Sequence, residues 1–202
     1  MKTQDGRLYV VSGASRSGKT AWTLRQVKAA ARVIVWDVEA QWCNERGFRK
    51  VSSRAELLAA LKDGPAKLAY VPGPDVKAEF AFWAAAARYW GTYHGPCVAV
   101  AEELADVSTQ GKAPHEWGML IRRGLKRGIT IYAISQRWAE ADKTAVGNAS
   151  AFALFRMSSG DDVAYMARKT RVPIAELERL MPLEYVVFDV LGNIERGRLK
   201  FR

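Results

Sequence analysis

The sequence has few cysteines, no long apolar run and no visible cluster of metal-binding side chains. Its 202 residues include 2 cysteines, Cys43 and Cys97, which are too few for a disulfide framework, so we expect both to be reduced thiols. No apolar run approaches the roughly 20 residues of a membrane-spanning helix. Residues 1–7 lack the apolar core of a signal peptide. These absences favour a soluble protein made in the cytoplasm.

The composition is that of a globular chain with a basic surplus. Hydrophobic residues make up 49% of the chain and charged residues 26%, which allows a full core. The length fits one domain spanning residues 1–202, and no repeat, low-complexity tract or linker interrupts it. The formal net charge of +10 favours a polyanionic partner such as nucleic acid.

Residues 13–20 match the phosphate-binding pattern G-x-x-x-x-G-K-[ST] in full. Residues 8–12 before them predict a short buried strand. Residues 21–31 after them predict a helix with Leu24, Val27 and Ala31 on one face. The alternative is a turn that only links strand to helix, and the complete pattern in this context argues against it. The residues expected to bind nucleotide are Gly13, Ala14, Ser15, Arg16, Ser17, Gly18, Lys19 and Thr20.

The chemistry of this loop predicts a magnesium nucleotide as the ligand. The glycines let successive backbone N–H groups point at a phosphate, and the following helix start adds its own free N–H groups. Lys19 can reach the β- and γ-phosphates, and the Thr20 hydroxyl can ligate Mg²⁺. We therefore expect ATP and Mg²⁺ as cofactors, with the choice between ATP and GTP left open.

Polar residues follow three further predicted strands. Residues 96–101 predict an apolar strand that is followed directly by Glu102 and Glu103. An apolar strand followed by two acids is typical of a Walker B element. In that element one carboxylate holds the magnesium shell, and the next positions and polarises the attacking water. Gln136 follows strand 129–134 and can hydrogen-bond the γ-phosphate or the water, or serve a turn. Asp37 ends strand 32–37 and either caps the next turn or lies near the nucleotide.

The remaining pattern alternates strands with helices. Helix 75–93 carries an aromatic stripe at helical spacing, which we assign to the core. The alternation predicts an α/β fold with a mostly parallel sheet, helices on both faces and a C-terminal hairpin. The other predicted strands are 67–71, 151–155, 185–190 and 194–201, and the other predicted helices are 53–61, 115–127, 160–170 and 173–180.

Two basic groups accompany these elements. The predicted helix 115–127 carries Arg122, Arg123, Lys126 and Arg127. The last predicted strand alternates basic with apolar residues, and its basic face is expected to be solvated surface. The members of that face are Arg196, Arg198, Lys200 and Arg202.

Several segments together resemble the FtsK and HerA superfamily of DNA-pumping P-loop ATPases. They are the P-loop, VIVWD at 33–37, VAVAEE at 98–103, RRGLKRGI at 122–129 leading to ISQR at 134–137, and ALFRM at 153–157 followed by two aspartates. The resemblance implies a RecA-like motor fold. It also implies that Glu103 is the catalytic carboxylate, Glu102 the magnesium-side acid and Gln136 the polar sensor.

The resemblance further implies an arginine that serves a neighbouring subunit. Arg156 is the candidate, with Arg122 and Arg123 left open because Leu125 and Trp138 replace the Arg and Pro usual in those runs. Arg122, Arg123, Lys126 and Arg127 are also candidates for DNA contact. Glu102 stands where most members have Asp.

The chain most resembles the genome-packaging ATPases of tailless, internal-membrane viruses. This implies translocation of double-stranded DNA, a homo-oligomeric ring that is hexameric by resemblance, capsid or portal-vertex partners, and a place in the host cytoplasm and at the virion packaging vertex. One alternative is an ATPase for filamentous phage assembly, which usually needs a membrane anchor. Others are a small-molecule P-loop kinase, although the loop at 108–114 is poor in arginine, and a nucleotide-dependent structural switch.

Overall fold

The computed structural model describes residues 5–108, 111 and 113–200 and contains one large sheet. The strands lie in the order β3-β4-β2-β5-β6-β1-β7-β8-β9. Strands β1 to β7 are parallel, and β8 and β9 add an antiparallel hairpin. The bounds are β1 Leu8–Ser12, β2 Val33–Trp36, β3 Arg49–Val51, β4 Lys67–Tyr70, β5 Val98–Ala101, β6 Thr130–Ser135, β7 Ala151–Phe155, β8 Glu184–Asp189 and β9 Ile194–Arg198. The predicted α/β fold class is confirmed.

The helices are α1 Lys19–Val27, α2 Arg54–Lys62, α3 Val76–Tyr93, α4 His115–Met119, α5 Lys143–Gly147, α6 Gly160–Thr170 and α7 Ile174–Glu178. Helices α1 to α5 lie between the parallel strands, and α6 and α7 lie between β7 and the antiparallel strand β8. Strand β3 was not predicted, because a strand of 3 residues with two exposed side chains is too short to show a period of two. No helix within the described ranges is long and apolar enough to cross a membrane.

The two faces of the sheet bury different helices. Along β2, Ile34 and Trp36 join a core cluster that contains residues of α2 to α7, whereas Val33 and Val35 join a cluster that contains residues of α1. This is the period-two alternation of a strand buried on both faces. The aromatic stripe of α3 lies in the larger cluster, as predicted.

Two predicted helices differ in detail. Helix α1 ends at Val27, so the expected apolar position Ala31 lies beyond it and is exposed, and Trp22 packs into the core instead. The predicted helix 115–127 is irregular: α4 passes into a π-helical turn, Leu120–Gly124, and then a 3₁₀ turn, Leu125–Arg127. Gly128 ends this run in a left-handed conformation with φ 80°.

The strand order decides which loops meet. Strand β6 lies between β1 and β5, with Ser12 opposite Ser135 and Ala101 opposite Ala133. The carboxyl ends of these three strands therefore lie side by side at one edge of the sheet, which we call the carboxyl edge. This is the edge at which open α/β sheets bind ligands.

Candidate active site

The loop between β1 and α1 has the backbone form that its glycines allow. Gly18 adopts φ 112° at the start of α1, a conformation that other residues rarely take. A Cβ atom on Gly13 would lie 2.6 Å from the Cβ of Phe155 and 2.7 Å from the Oγ of Ser17. Both glycines are therefore required by the path of the chain as well as by the room that a phosphate needs.

Lys19 is held inside this loop. Its side chain is buried, and its Nζ donates to the carbonyl oxygens of Gly13 and Ala14, each at 2.8 Å. Burial lowers the pKa of Lys19, and the nearby carboxylates of Glu102 and Glu103 act in the opposite direction. The ammonium group therefore lies between the loop and both acids, where an incoming phosphate could take over its hydrogen bonds.

Glu102 is tied to the start of α1 and to the loop after β2. One of its oxygens, Oε1, accepts from Thr20 Oγ1 at 3.1 Å and from Trp42 Nε1 at 2.8 Å. Burial raises the pKa of Glu102, while these two hydrogen bonds and Lys19 lower it. Trp42 was not among the site residues predicted from the sequence, because nothing in its local pattern indicates a contact with a residue 60 positions away.

The residues present fit a magnesium ion that arrives with a nucleotide. Thr20 and Glu102 bring a hydroxyl and a carboxylate together, and Mg²⁺ prefers such oxygen ligands, with few from protein and the rest from phosphates and water. Within the described residues, no group of three or more His, Cys, Asp or Glu side chains could hold a metal ion by itself. The set therefore suits a nucleotide-borne ion.

Glu103 faces β6 instead. Its Oε2 accepts from Gln136 Nε2 at 2.9 Å, and its Oε1 accepts from the Gln136 backbone N–H at 3.3 Å and from Ser135 Oγ at 3.4 Å. Glu103 has φ 43°, a left-handed backbone conformation that is uncommon for residues other than glycine. The structure thus brings Glu103 and Gln136 into direct contact at the carboxyl edge.

Asp37 caps the turn that follows β2. Its Oδ1 accepts from the backbone N–H groups of Gln41 and Trp42 at 2.8 and 3.1 Å, and its Oδ2 accepts from that of Cys43 at 2.9 Å. This is the first of the two roles that the sequence left open. Because the turn carries Trp42, Asp37 also fixes the residue that donates to Glu102.

Cys43 and Cys97 are free cysteines.

One cleft collects the predicted residues Glu102, Glu103 and Gln136 with four residues of the P-loop. Its lining residues come from the P-loop, the turn after β2 and the ends of β5 and β6. The cleft is lined by Ser15, Arg16, Lys19, Thr20, Asp37, Glu39, Gln41, Trp42, Glu102, Glu103 and Gln136.

Arg156 lies beside this cleft but does not line it. It directly follows β7, and its carbonyl oxygen accepts from the N–H of Ala14 at 2.8 Å. Its side chain is exposed and forms no ion pair within the described residues. The guanidinium group is therefore available on the surface at the carboxyl edge.

The other candidate basic residues lie away from the cleft. The backbone N–H of Gly6, just before β1, donates to the carbonyl oxygen of Leu125 at 2.7 Å, so the 3₁₀ turn lies beside the start of β1. The P-loop lies at the other end of that strand, at the roughly 3.3 Å per residue of an extended chain. Lys126 and Arg127 therefore cannot reach the nucleotide cleft of their own chain. Arg122 and Arg123 are exposed on the preceding π turn.

The chain is similar to a phage protein over most of its length. It is 31% identical to Protein P9 of Pseudoalteromonas phage PM2 over 202 residues, which covers 96% of this chain and 91% of that protein. No protein-family model matches the chain.

Solved structures show the same fold. The genome packaging NTPase B204 from Sulfolobus turreted icosahedral virus 2 in complex with AMPPCP has a TM-score of 0.80 at 12% identity and covers 98% of this chain and 99% of its own. Its complex with ATP-gammaS gives 0.79 at 13% identity, with full coverage of both chains (100% each). VirB4 of Thermoanaerobacter pseudethanolicus gives 0.63 at 10% identity, covering 96% of this chain and 90% of VirB4. The chain therefore has the same fold as B204 and VirB4.

Proposed function

The chain belongs to the same family as Protein P9 of Pseudoalteromonas phage PM2, and from this membership and the site we propose that it is an ATPase that moves double-stranded DNA into a viral capsid. The observation that carries the proposal is the cleft in which Lys19, Thr20, Glu102, Glu103 and Gln136 converge. The B204 packaging NTPase, which shares the fold, is known in complex with AMPPCP and ATP-gammaS, and this supports ATP as the ligand.

Binding begins at the P-loop. The backbone N–H groups of the loop and the first turn of α1 surround the phosphates, and Lys19 exchanges its bonds to Gly13 and Ala14 for phosphate oxygens. Thr20 and Glu102 would hold a magnesium ion that arrives with the nucleotide. When bound, that ion neutralises charge on the β- and γ-phosphates.

Hydrolysis depends on the pair at the ends of β5 and β6. Glu103 orients the attacking water and accepts its proton. Gln136 already bonds Glu103 through both its side chain and its backbone, so it keeps the carboxylate at the side of the cleft next to β6. The Gln136 amide can also turn toward the γ-phosphate, which would release one Glu103 oxygen for the water.

We further propose that the whole chain, residues 1–202, is one ATPase domain that assembles into a ring, hexameric by the resemblance. The nucleotide lies at the boundary between subunits in this arrangement. The exposed side chain of Arg156 supplies positive charge to the phosphates bound by the neighbouring subunit. Where such an arginine is present, it raises the rate of hydrolysis by ~10³–10⁵-fold. Capsid or portal-vertex proteins would be the partners, with the motor in the host cytoplasm and at the packaging vertex of the virion.

The experiment compares hydrolysis with transfer. Purified protein is given ATP and Mg²⁺ with linear double-stranded DNA, or with a panel of nucleosides and metabolites, and phosphate release and phosphate transfer are both measured. We expect DNA to stimulate ATP hydrolysis, and we expect the Lys19→Ala variant to lose ATP hydrolysis. Transfer of phosphate to a nucleoside without DNA stimulation would establish a kinase instead. Part of the loop considered for a kinase lid, residues 109, 110 and 112, lies outside the described residues.

A further inference from the structure

Exposed basic residues gather at one edge of the parallel sheet. Helices α1 and α6, which follow β1 and β7, begin at the carboxyl edge and end at the opposite edge, where the parallel strands start and which we call the amino edge. Basic residues gather there, at the ends of these helices, at the end of the 3₁₀ turn and before β1. We define the amino-edge basic surface as Arg7, Lys28, Lys126, Arg127, Lys169 and Arg171.

Contacts within the chain place these residues at one edge. The 3₁₀ turn that carries Lys126 lies against Gly6, next to Arg7. The carbonyl oxygen of Lys28 accepts from Lys67 Nζ at 2.6 Å, at the start of β4. Lys169 and Arg171 line a groove with the tip of the β8–β9 hairpin, and Val190 at that tip bonds Ser150 at the start of β7. The sequence shows no such group, because its members come from four distant segments.

The side chains of the amino-edge basic surface are exposed and unpaired. None forms an ion pair with a carboxylate in the part of the chain that the structure describes. Arg7 lies over the ring of Tyr9 at 5.3 Å and Lys169 over that of Tyr165 at 5.5 Å. Asp189 is the acid near Arg7: it accepts from the backbone N–H groups of Leu191 and Asn193. Its hydrogen bonds with Asn193 lower its pKa, and the charge of Arg7 also helps to lower it without forming an ion pair.

Around the nucleotide cleft, the carboxyl edge carries a group of acids. Burial raises the pKa of Asp106, and the nearby carboxylates of Glu103 and Glu39 raise it further, so these acids lie close enough to repel one another. Asp37 and Glu102 lie in the same cleft. A phosphate backbone would be repelled there, except where the P-loop and a metal ion compensate. Basic residues near helix ends also complement the helix dipole, but Arg7 precedes a strand and has no such role.

We propose that double-stranded DNA contacts this chain through the amino-edge basic surface, on the edge of the sheet opposite to the nucleotide cleft. The inference rests on the proposed function and names the surface that meets its substrate. Lysine and arginine at this surface would bind phosphates without reading base sequence, which suits a motor that must pass any DNA. Helix α1 connects the nucleotide cleft to the amino-edge basic surface. Its 9 residues start with Lys19 and Thr20 in the cleft, and Lys28 of the basic surface follows its last residue.

The test uses two matched double variants. Lys28→Gln with Lys169→Gln removes two exposed charges from the amino edge. Lys77→Gln with Lys143→Gln removes two exposed lysines near the carboxyl edge. Lys77 lies in the first turn of α3. Lys143 follows Asp142, whose backbone N–H donates to Ser108 Oγ. Affinity for a double-stranded DNA of mixed sequence is measured across a series of salt concentrations, with binding of a fluorescent ATP analogue as the check on folding.

We expect the slope of log affinity against log salt to become shallower by about two units in the amino-edge variant, roughly one for each phosphate that the protein no longer neutralises. The carboxyl-edge variant should keep the wild-type slope. Equal changes of slope in both variants would show that net charge alone binds DNA and would overturn the inference. An unchanged slope in the amino-edge variant would overturn it as well. If the wild-type chain binds no DNA, the proposed function fails at the same time, and that result is distinct from the other two.

Discussion

Glu102 and Glu103 are neighbours in the chain, yet their carboxylates bond to opposite sides of the cleft. Glu102 accepts from Thr20 and Trp42 on the side of α1 and β2, and Glu103 accepts from Gln136 and Ser135 on the side of β6. Consecutive side chains at a strand end point in different directions, and the left-handed backbone at Glu103 turns its side chain further toward β6. The two acids therefore have separate sets of hydrogen-bond partners, and we predict separate roles for them.

Glu103→Gln should abolish most hydrolysis without loss of nucleotide binding. The amide keeps the size and hydrogen-bonding reach of the carboxylate but cannot accept a proton from water. We expect the rate of ATP hydrolysis to fall by ~10²–10⁴, the usual contribution of a positioned base. Single-turnover hydrolysis and binding of an ATP analogue, measured on the same preparation, check this, and hydrolysis at the wild-type rate would remove Glu103 from the mechanism.

Glu102→Gln should instead weaken nucleotide binding that depends on magnesium. An amide oxygen is a poorer ligand than a carboxylate for a hard cation, so part of the loss should be recovered at high Mg²⁺. Titration of Mg²⁺ against analogue binding in both variants separates the roles. Rescue of Glu103→Gln by metal, rather than of Glu102→Gln, would show that the two roles are reversed.

Trp42→Phe should impair the magnesium response while it keeps an aromatic ring in the core. The change removes the N–H that donates to Glu102 at 2.8 Å, and loss of a residue that orients a metal ligand typically costs 10–100-fold in metal affinity. We expect the Mg²⁺ concentration for half-maximal analogue binding to rise by about that factor. Calorimetric titration of the analogue at several Mg²⁺ concentrations measures it.

Trp117→Phe is the matched control for this change. Trp117 is also fully buried and also donates its Nε1–H to a carboxylate, that of Asp142 at 3.1 Å, which lies outside the cleft. It should share any loss of thermal stability but leave the Mg²⁺ response unchanged. An equal shift in both variants would mean that Trp42 acts on stability alone.

Arg156→Ala subunits should regain activity when they are mixed with Lys19→Ala subunits. In a mixed ring, an intact P-loop from one variant can face an intact Arg156 from the other, so ATP hydrolysis should rise above that of either variant alone. Lys19→Ala mixed with Glu103→Gln serves as the control, because both of these residues act in the same subunit and no boundary is complete. Failure of every Arg156→Ala mixture to recover hydrolysis, when each variant tolerates wild-type subunits, would assign the arginine elsewhere.

Much of the fold was predictable because it depends on local patterns. The P-loop occupies a fixed pattern between a buried strand and a helix, and β2, β5 and β6 are short apolar runs, so the sequence indicated each one within a few residues. The aromatic stripe of α3 was predictable for the same reason, since helical spacing shows which side chains share a face. The three-residue strand β3 was missed because it is too short to show a period.

The site was predictable as a set of residues but not as an arrangement. The sequence placed Glu102, Glu103 and Gln136 after strands, and the order β5-β6-β1 then decided that Gln136 lies between the P-loop and the acids and bonds Glu103. The hydrogen bond from Trp42 to Glu102 is likewise a contact that the tertiary structure decides. It joins loops after different strands, and no local period encodes which loops become neighbours.

The sequence by itself determined which residues are candidates for the nucleotide site, because a phosphate-binding loop and acids after apolar strands are specified by residue type and spacing. Only the tertiary structure decided at which edge of the sheet the basic side chains lie. The basic residues of helix 115–127 carry no sign in the sequence of which edge they occupy, and the parallel crossover connections bring Lys126 and Arg127 to the edge opposite to the P-loop. The physical reason is that a crossover helix returns the chain to the start of the next strand, so the ends of distant helices gather where no catalytic residue lies.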